Sequence, residues 1–129
     1  MWRAFVLLLI VMAASAASRT VAQSADATYT GHWNAGSSWG DMTLTQSGTH
    51  VTGSYAWKNG RISARVYGRY ARGYWAQDSS DRRCETQRLG SAYWGVVTST
   101  LSADGRSFTG TWGYCADAPT NAVKAARED

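Results

Sequence analysis

Polar and apolar residues alternate along most of this chain, and glycine-bearing turns break the alternation at short intervals. Met42-Thr43-Leu44-Thr45-Gln46 places Met42, Leu44 and Gln46 on one face, and Ser47-Gly48 then reverses the chain. Residues 51–57 return with Val51, Tyr55 and Trp57 facing one way. Lys58-Asn59-Gly60 follows as a hairpin signal, because Asn-Gly tolerates the positive φ that tight primed turns require. Ile62, Ala64 and Val66 continue the apolar face, with Arg61, Ser63 and Arg65 opposite. Gly68-Arg69 leads into a strand over 70–77. Two more strands, over 93–101 and 106–114, are joined by Ser102-Ala103-Asp104-Gly105. With 29–34 this predicts an all-β antiparallel meander of about seven strands, and no stretch of it carries helical periodicity.

A glycine recurs two residues before an aromatic: Gly31 before Trp33, Gly53 before Tyr55, Gly73 before Trp75 and Gly110 before Trp112. Each pair shares one strand face. Glycine there leaves room for a neighbouring strand's side chain and lets the sheet bend sharply. The meander is therefore expected to curl into a small or partly open barrel.

Upstream, Arg3 precedes an apolar run over 4–14, and small residues follow at Ala14-Ser15-Ala16 and again over 22–27. This is the order of a secretory signal, expected over 1–23 with the cut somewhere in 16–27. The apolar run is too short for a bilayer span of about 20 residues, so no stable membrane insertion is expected after cleavage. A barrel-like domain over 28–116 and a polar tail over 117–129, frayed or a short helix, complete the organisation. The expected destination is secreted or periplasmic. There, Cys84 and Cys115, the only cysteines, read as one disulfide rather than a redox pair, because they lack C-x-x-C spacing.

The net charge of +4 suits solubility and a weak attraction to anionic partners. Seven tryptophans and seven tyrosines weigh more, since so short a chain must use them in its core or on a binding surface. Candidate chemistry is sparse. His32 and His50 stand alone, there is no H-E-x-x-H, G-x-S-x-G or phosphate-binding loop, and no catalytic residue is assigned. The loop over 78–90 holds three carboxylates, but interleaved Arg82 and Arg83 oppose a calcium site, so no metal or cofactor is assigned. Arg61, Arg65, Arg69, Arg72, Arg82, Arg83, Arg88 and Arg106, some near Tyr67, Tyr70 and Tyr74, read first as the polar face of a half-buried sheet. A surface for an anionic glycan is the alternative, and secretion disfavours nucleic acid.

Thr30-Gly31-x-Trp33, Gly36-Ser37-Ser38, Asp41-Met42-Thr43-Leu44 and Val51-Thr52-Gly53-Ser54-Tyr55 resemble the start of avidins, and Gly-x-Trp is shared with lipocalins. That resemblance implies a ligand-holding up-and-down barrel, with Asn34, Ser38 and Tyr55 near the polar contacts and Trp75, Trp94 and Trp112 as wall aromatics. Asn34 stands one position earlier than the avidin asparagine and the last avidin strand has no evident counterpart, which argues against biotin. A longer run, G-x-M-x-L-x-Q-x-G-x-x-V-x-G-x-Y over 40–55 with L-S-A-D-G-x-S-F-x-G-x-W over 101–112, resembles a small module of bacterial extracytoplasmic proteins. It implies the fold and no particular activity.

The expected function is a non-enzymatic, aromatic-lined binding module for a small molecule or glycan, with Asn34, Ser38, Tyr55, Trp57, Trp75, Trp94 and Trp112 as contacts. The alternatives are an envelope protein-interaction or inhibitor protein, and a hydrolase with a dispersed site. An uncovered barrel edge would invite a second copy.

Overall fold

The computed structural model describes residues 27–128; the expected leader lies outside them. Eight antiparallel strands follow one another around a closed barrel: β1 (Gly31–Asn34), β2 (Asp41–Ser47), β3 (His50–Tyr55), β4 (Gly60–Tyr67), β5 (Tyr70–Gln77), β6 (Tyr93–Leu101), β7 (Ser107–Trp112) and β8 (Asn121–Arg127). The meander of the sequence pattern is thus present, and the tail closes it. β8 pairs with β7 from Asn121 to Ala126 and with β1 at Trp33–Arg127 and Asn34–Ala126.

The expectation of a frayed or helical tail is corrected here. Alanine-rich composition suggested helix, yet Val123 and Ala125 alternate inward while Ala122, Lys124 and Ala126 face solvent. Tertiary pairing overrides propensity. Ala125 lies opposite Phe108, whose ring meets Trp33 edge-on at 4.9 Å and Tyr29 at 5.8 Å, so only a small side chain fits across from it.

The alternation dictates the rest of the interior. Trp33, Met42, Leu44, Val51, Tyr55, Ile62, Ala64, Val66, Ala71, Trp75, Leu101 and Phe108 are all buried and form one cluster with Val123 and Ala125. The space left among them is about 30 Å³, the share of a single water molecule. Inward glycines let the strands close this tightly. A Cβ at Gly73 would stand 2.1 Å from the Ser63 carbonyl oxygen on β4, and one at Gly110 would stand 1.8 Å from that of Thr98 on β6. The Lys58-Asn59-Gly60 turn departs in detail from its expectation. The positive φ values fall on Lys58 (50°) and Asn59 (55°), while Gly60 is extended and lies under the Tyr55 ring.

The two barrel ends differ. At one, Tyr29 lies across the opening, its hydroxyl donating to the Arg69 carbonyl and sharing a hydrogen bond with Ser99 Oγ, both at 2.9 Å. Arg127 seals the same end, donating to the carbonyls of Thr28, Thr30 and Gly105 with its guanidinium 4.2 Å from the Trp33 ring centre. The other end carries the longer connections. There the β5–β6 loop folds back over the outside of the barrel and is tied by the Cys84–Cys115 disulfide to the segment after β7. Reducing that bond, which closes a 31-residue separation, is expected to lower the unfolding free energy by about 3 kcal/mol. Urea denaturation with and without reductant measures it, and coincident curves would contradict a stabilising role.

Among the described residues, no helix is long and apolar enough to cross a membrane.

Candidate ligand-binding site

At the long-loop end the barrel opens into a cup of about 300 Å³, within the range of small-molecule sites. Its floor is Trp39. The β1–β2 loop folds on itself through Asn34 Oδ1 accepting from the Gly36 N–H, Gly40 N–H donating to the Gly36 carbonyl and Ala35 N–H donating to the Gly40 carbonyl. That geometry drops Trp39, 5% exposed, into the barrel mouth. Its ring meets Tyr55 at 4.8 Å, Trp112 at 6.1 Å and Trp75 at 6.4 Å, all edge-to-face. Trp39 lines both the cup above and the small apolar void below, so it separates the two.

The walls come from four connections. Trp75 and Gln77 rise from the end of β5, and Trp112 and Tyr114 from the end of β7 and its exit. Trp75 is fixed by its indole N–H donating to the Gly113 carbonyl at 3.0 Å and by rings of Trp112 and Tyr114 at 5.9 Å. Trp57 and Lys58 come from the short 3-10 turn Trp57–Asn59, with Trp57 half exposed and the Lys58 ammonium 5.4 Å from its ring centre. The Trp57 backbone N–H donates to the Trp39 carbonyl at 3.1 Å, joining floor to wall. Ser37, Ser38, Ser80 and Asp81 complete the rim.

Polar groups beneath and around the cup are held neutral or fixed. Gln77 donates its amide N–H to the Tyr55 hydroxyl at 2.8 Å. Burial pushes that phenol far above its ordinary value, an effect the Gln77 hydrogen bond offsets only in part, so it stays protonated. Tyr114 is likewise raised, by desolvation and by the Asp81 carboxylate, to which its hydroxyl donates at 3.4 Å. Next to Gln77 in the chain, Asp78 is held below the usual carboxylate range by hydrogen bonds from Arg61 and Asn59.

Of the sequence-derived contacts, Ser38, Trp57, Trp75 and Trp112 line the cup, and Tyr55 stands directly beneath it against Trp39 and Gln77. Asn34 and Trp94 do not line it. Asn34 faces outward at the end of β1 and spends its carboxamide on the loop that carries Trp39. Trp94 is on the outer face of β6, buried under the β5–β6 loop with Ala76 and Cys84. Its indole donates to the Thr86 carbonyl at 2.7 Å, and Arg88 stacks 4.8 Å above its ring and 4.0 Å above that of Tyr74. Strand parity carried this information, since Val97, Ser99 and Leu101 inward force residue 94 outward. Ser37, Trp39, Lys58, Gln77, Ser80, Asp81 and Tyr114 were missed. Gln77 and Tyr114 had a parity signal, each two residues beyond a cup tryptophan, Trp75 and Trp112, on the same face.

The two histidines lie outside the cup. His32 hydrogen-bonds Thr43 and His50 hydrogen-bonds Ser63, both at 3.1 Å on the exposed outer face. Ser63 and His50 form a nucleophile–base contact in distance only; among the described residues no carboxylate hydrogen-bonds either imidazole. No group of three potential metal ligands stands together among the described residues.

No family model, curated protein or solved structure matches this chain.

Proposed function

We propose that this protein is a secreted or periplasmic, non-enzymatic binding module that holds a small ligand in the aromatic cup. The observation that supports this reading most is the contrast between the two spaces of the barrel. The interior is filled to about 30 Å³, whereas the mouth keeps a cup of about 300 Å³ walled by Trp39, Trp57, Trp75, Trp112 and Tyr114. Packed aromatics around an open concavity with a few polar groups suit ligand capture. The disulfide and the leader-like sequence of residues 1–23 support the oxidising compartment. The resemblance of the first strands to avidins and lipocalins, which are ligand-holding up-and-down barrels, agrees with a ligand-binding role.

Native mass spectrometry of the protein purified from its own host tests the reading, with an adduct of defined mass expected on the wild type. Trp57 is half exposed, so Trp57→Ala is expected to leave the fold intact and weaken the adduct about tenfold, the loss of one stacking contact of about 1.4 kcal/mol. An adduct that survives Trp57→Ala and Trp112→Ala unchanged would place the ligand outside the cup.

A second reading, docking of a partner protein, is favoured by one outer strip. On the β4–β5 hairpin Arg65 lies directly opposite Arg72, and Tyr67 opposite Tyr70, all four exposed. Neither arginine has an ion-pair partner among the described residues. Like charges directly opposed cost stability, and an acidic partner surface would relieve that cost.

A further inference from the structure

Six tryptophans lie in the described residues, and their indole nitrogens fall into two groups. Trp33, Trp75 and Trp94 each donate to a backbone carbonyl, of Tyr29, Gly113 and Thr86. Trp39, Trp57 and Trp112 have no acceptor among the described residues, and these three are cup residues. Trp39 is the decisive one. It is 95% buried in accessible area, and a buried N–H without an acceptor costs free energy. Yet no fully buried side-chain polar atom lacks a partner. The Trp39 N–H therefore opens onto solvent-accessible space, as does the Gln77 carboxamide oxygen, whose amide nitrogen alone is engaged by Tyr55.

The cup thus presents indole donors together with the acceptors Gln77 Oε1 and the Asp81 carboxylate, and serine hydroxyls that do either. Its formal charges cancel: Lys58 against Asp81, neither in an ion pair, with the ammonium already resting over the Trp57 ring. A strongly charged ligand gains little there. An aliphatic tail has nowhere to go, because Trp39 closes the way to an interior with about 30 Å³ left. What remains is a compact neutral ligand with an apolar face for tryptophan and donors and acceptors around its edge.

We infer that the ligand is a neutral saccharide, one or two rings in size, with a hydroxyl oxygen accepting from Trp39 Nε1 and a hydroxyl proton given to Gln77 Oε1. Each sugar hydroxyl both donates and accepts, and the C–H face of the ring stacks on an indole. This rests on the cup being the binding site, and it names the chemical class.

The test is an array of neutral and acidic saccharides probed with the full chain, followed by tryptophan-fluorescence titration, with adenine and decanoate as non-sugar probes. Saturable binding of at least one neutral mono- or disaccharide is expected, with acidic counterparts at least tenfold weaker. Trp39→Phe keeps an aromatic ring in the floor but removes the donor together with part of the indole's packing; it should stay folded with a lowered unfolding midpoint and lose about tenfold in affinity. Gln77→Glu, which keeps the size and adds a charge, should also weaken a neutral sugar. Binding of adenine or decanoate, lost in Trp57→Ala, with no saccharide bound, would overturn the sugar assignment and leave the cup as a binding site. Silence from every probe, with no native adduct, would overturn both readings. Tight sugar binding indifferent to Trp39→Phe would overturn the assigned geometry.

Discussion

Arg127→Ala is expected to cost about 3 kcal/mol of stability, the larger of two effects that test how the barrel is closed. One guanidinium spans three carbonyls, those of Thr28, Thr30 and Gly105, at 2.6, 2.6 and 2.9 Å, and covers the Trp33 ring. Each bond is charge-assisted, but part of the group is exposed, which holds the total below the sum of three buried bonds. Removing it unties β8 from the chain entering β1 and leaves carbonyls without their donor. Arg127→Lys should recover less than half of the loss, because a point ammonium cannot serve three carbonyls at fork geometry and stack on an indole together. Urea denaturation of the three proteins checks this; a loss under about 1 kcal/mol for alanine would mean that backbone pairing alone holds the closure.

Gly110→Ala should cost nearly as much, about 2–3 kcal/mol, by overpacking. The added Cβ meets the Thr98 carbonyl oxygen at 1.8 Å, the Thr98 carbonyl carbon at 2.6 Å and Ser99 Cα at 2.7 Å. All three are backbone atoms, so no side-chain rotation relieves the contact and β6 must move away from β7. The Thr98–Thr111 hydroxyl pair, at 2.8 Å, goes with that register. Thr109→Ala, one residue earlier and exposed, is the control and should stay within about 0.5 kcal/mol of wild type. Equal melting of the two variants would show that the sheet relaxes without loss.

The seven strands read from the sequence were legible because each interior face is bought by period-two alternation between turn residues, as in Met42, Leu44 and then Ile62, Ala64, Val66. β8 was not legible. Its inward face is only Val123 and Ala125, and alanine there answers to the size of Phe108 on another strand, a fact no local window contains. The cup was half legible for the same reason. Trp75 and Trp112 follow from parity within their strands. Trp39 sits in a loop, and its burial depends on a backbone path closed by Asn34 and Gly40. Trp94 had an aromatic's usual claim to an interior, and the second, outer cluster under the disulfide-tied loop took it instead.

The strands that close the barrel are also the most distant in sequence: Arg127 bonds residues 97 and 99 positions away. Every other ladder joins neighbours along the chain and can zip locally. Closure of β8 onto β1 is the one step that must search a long loop for its partner, and loop entropy makes such contacts slow. Until it happens β1 and β8 are both open edges, with unpaired N–H and C=O groups that another chain can satisfy. The rate of that long-range search, together with native stability, sets how long these edges are exposed to aggregation.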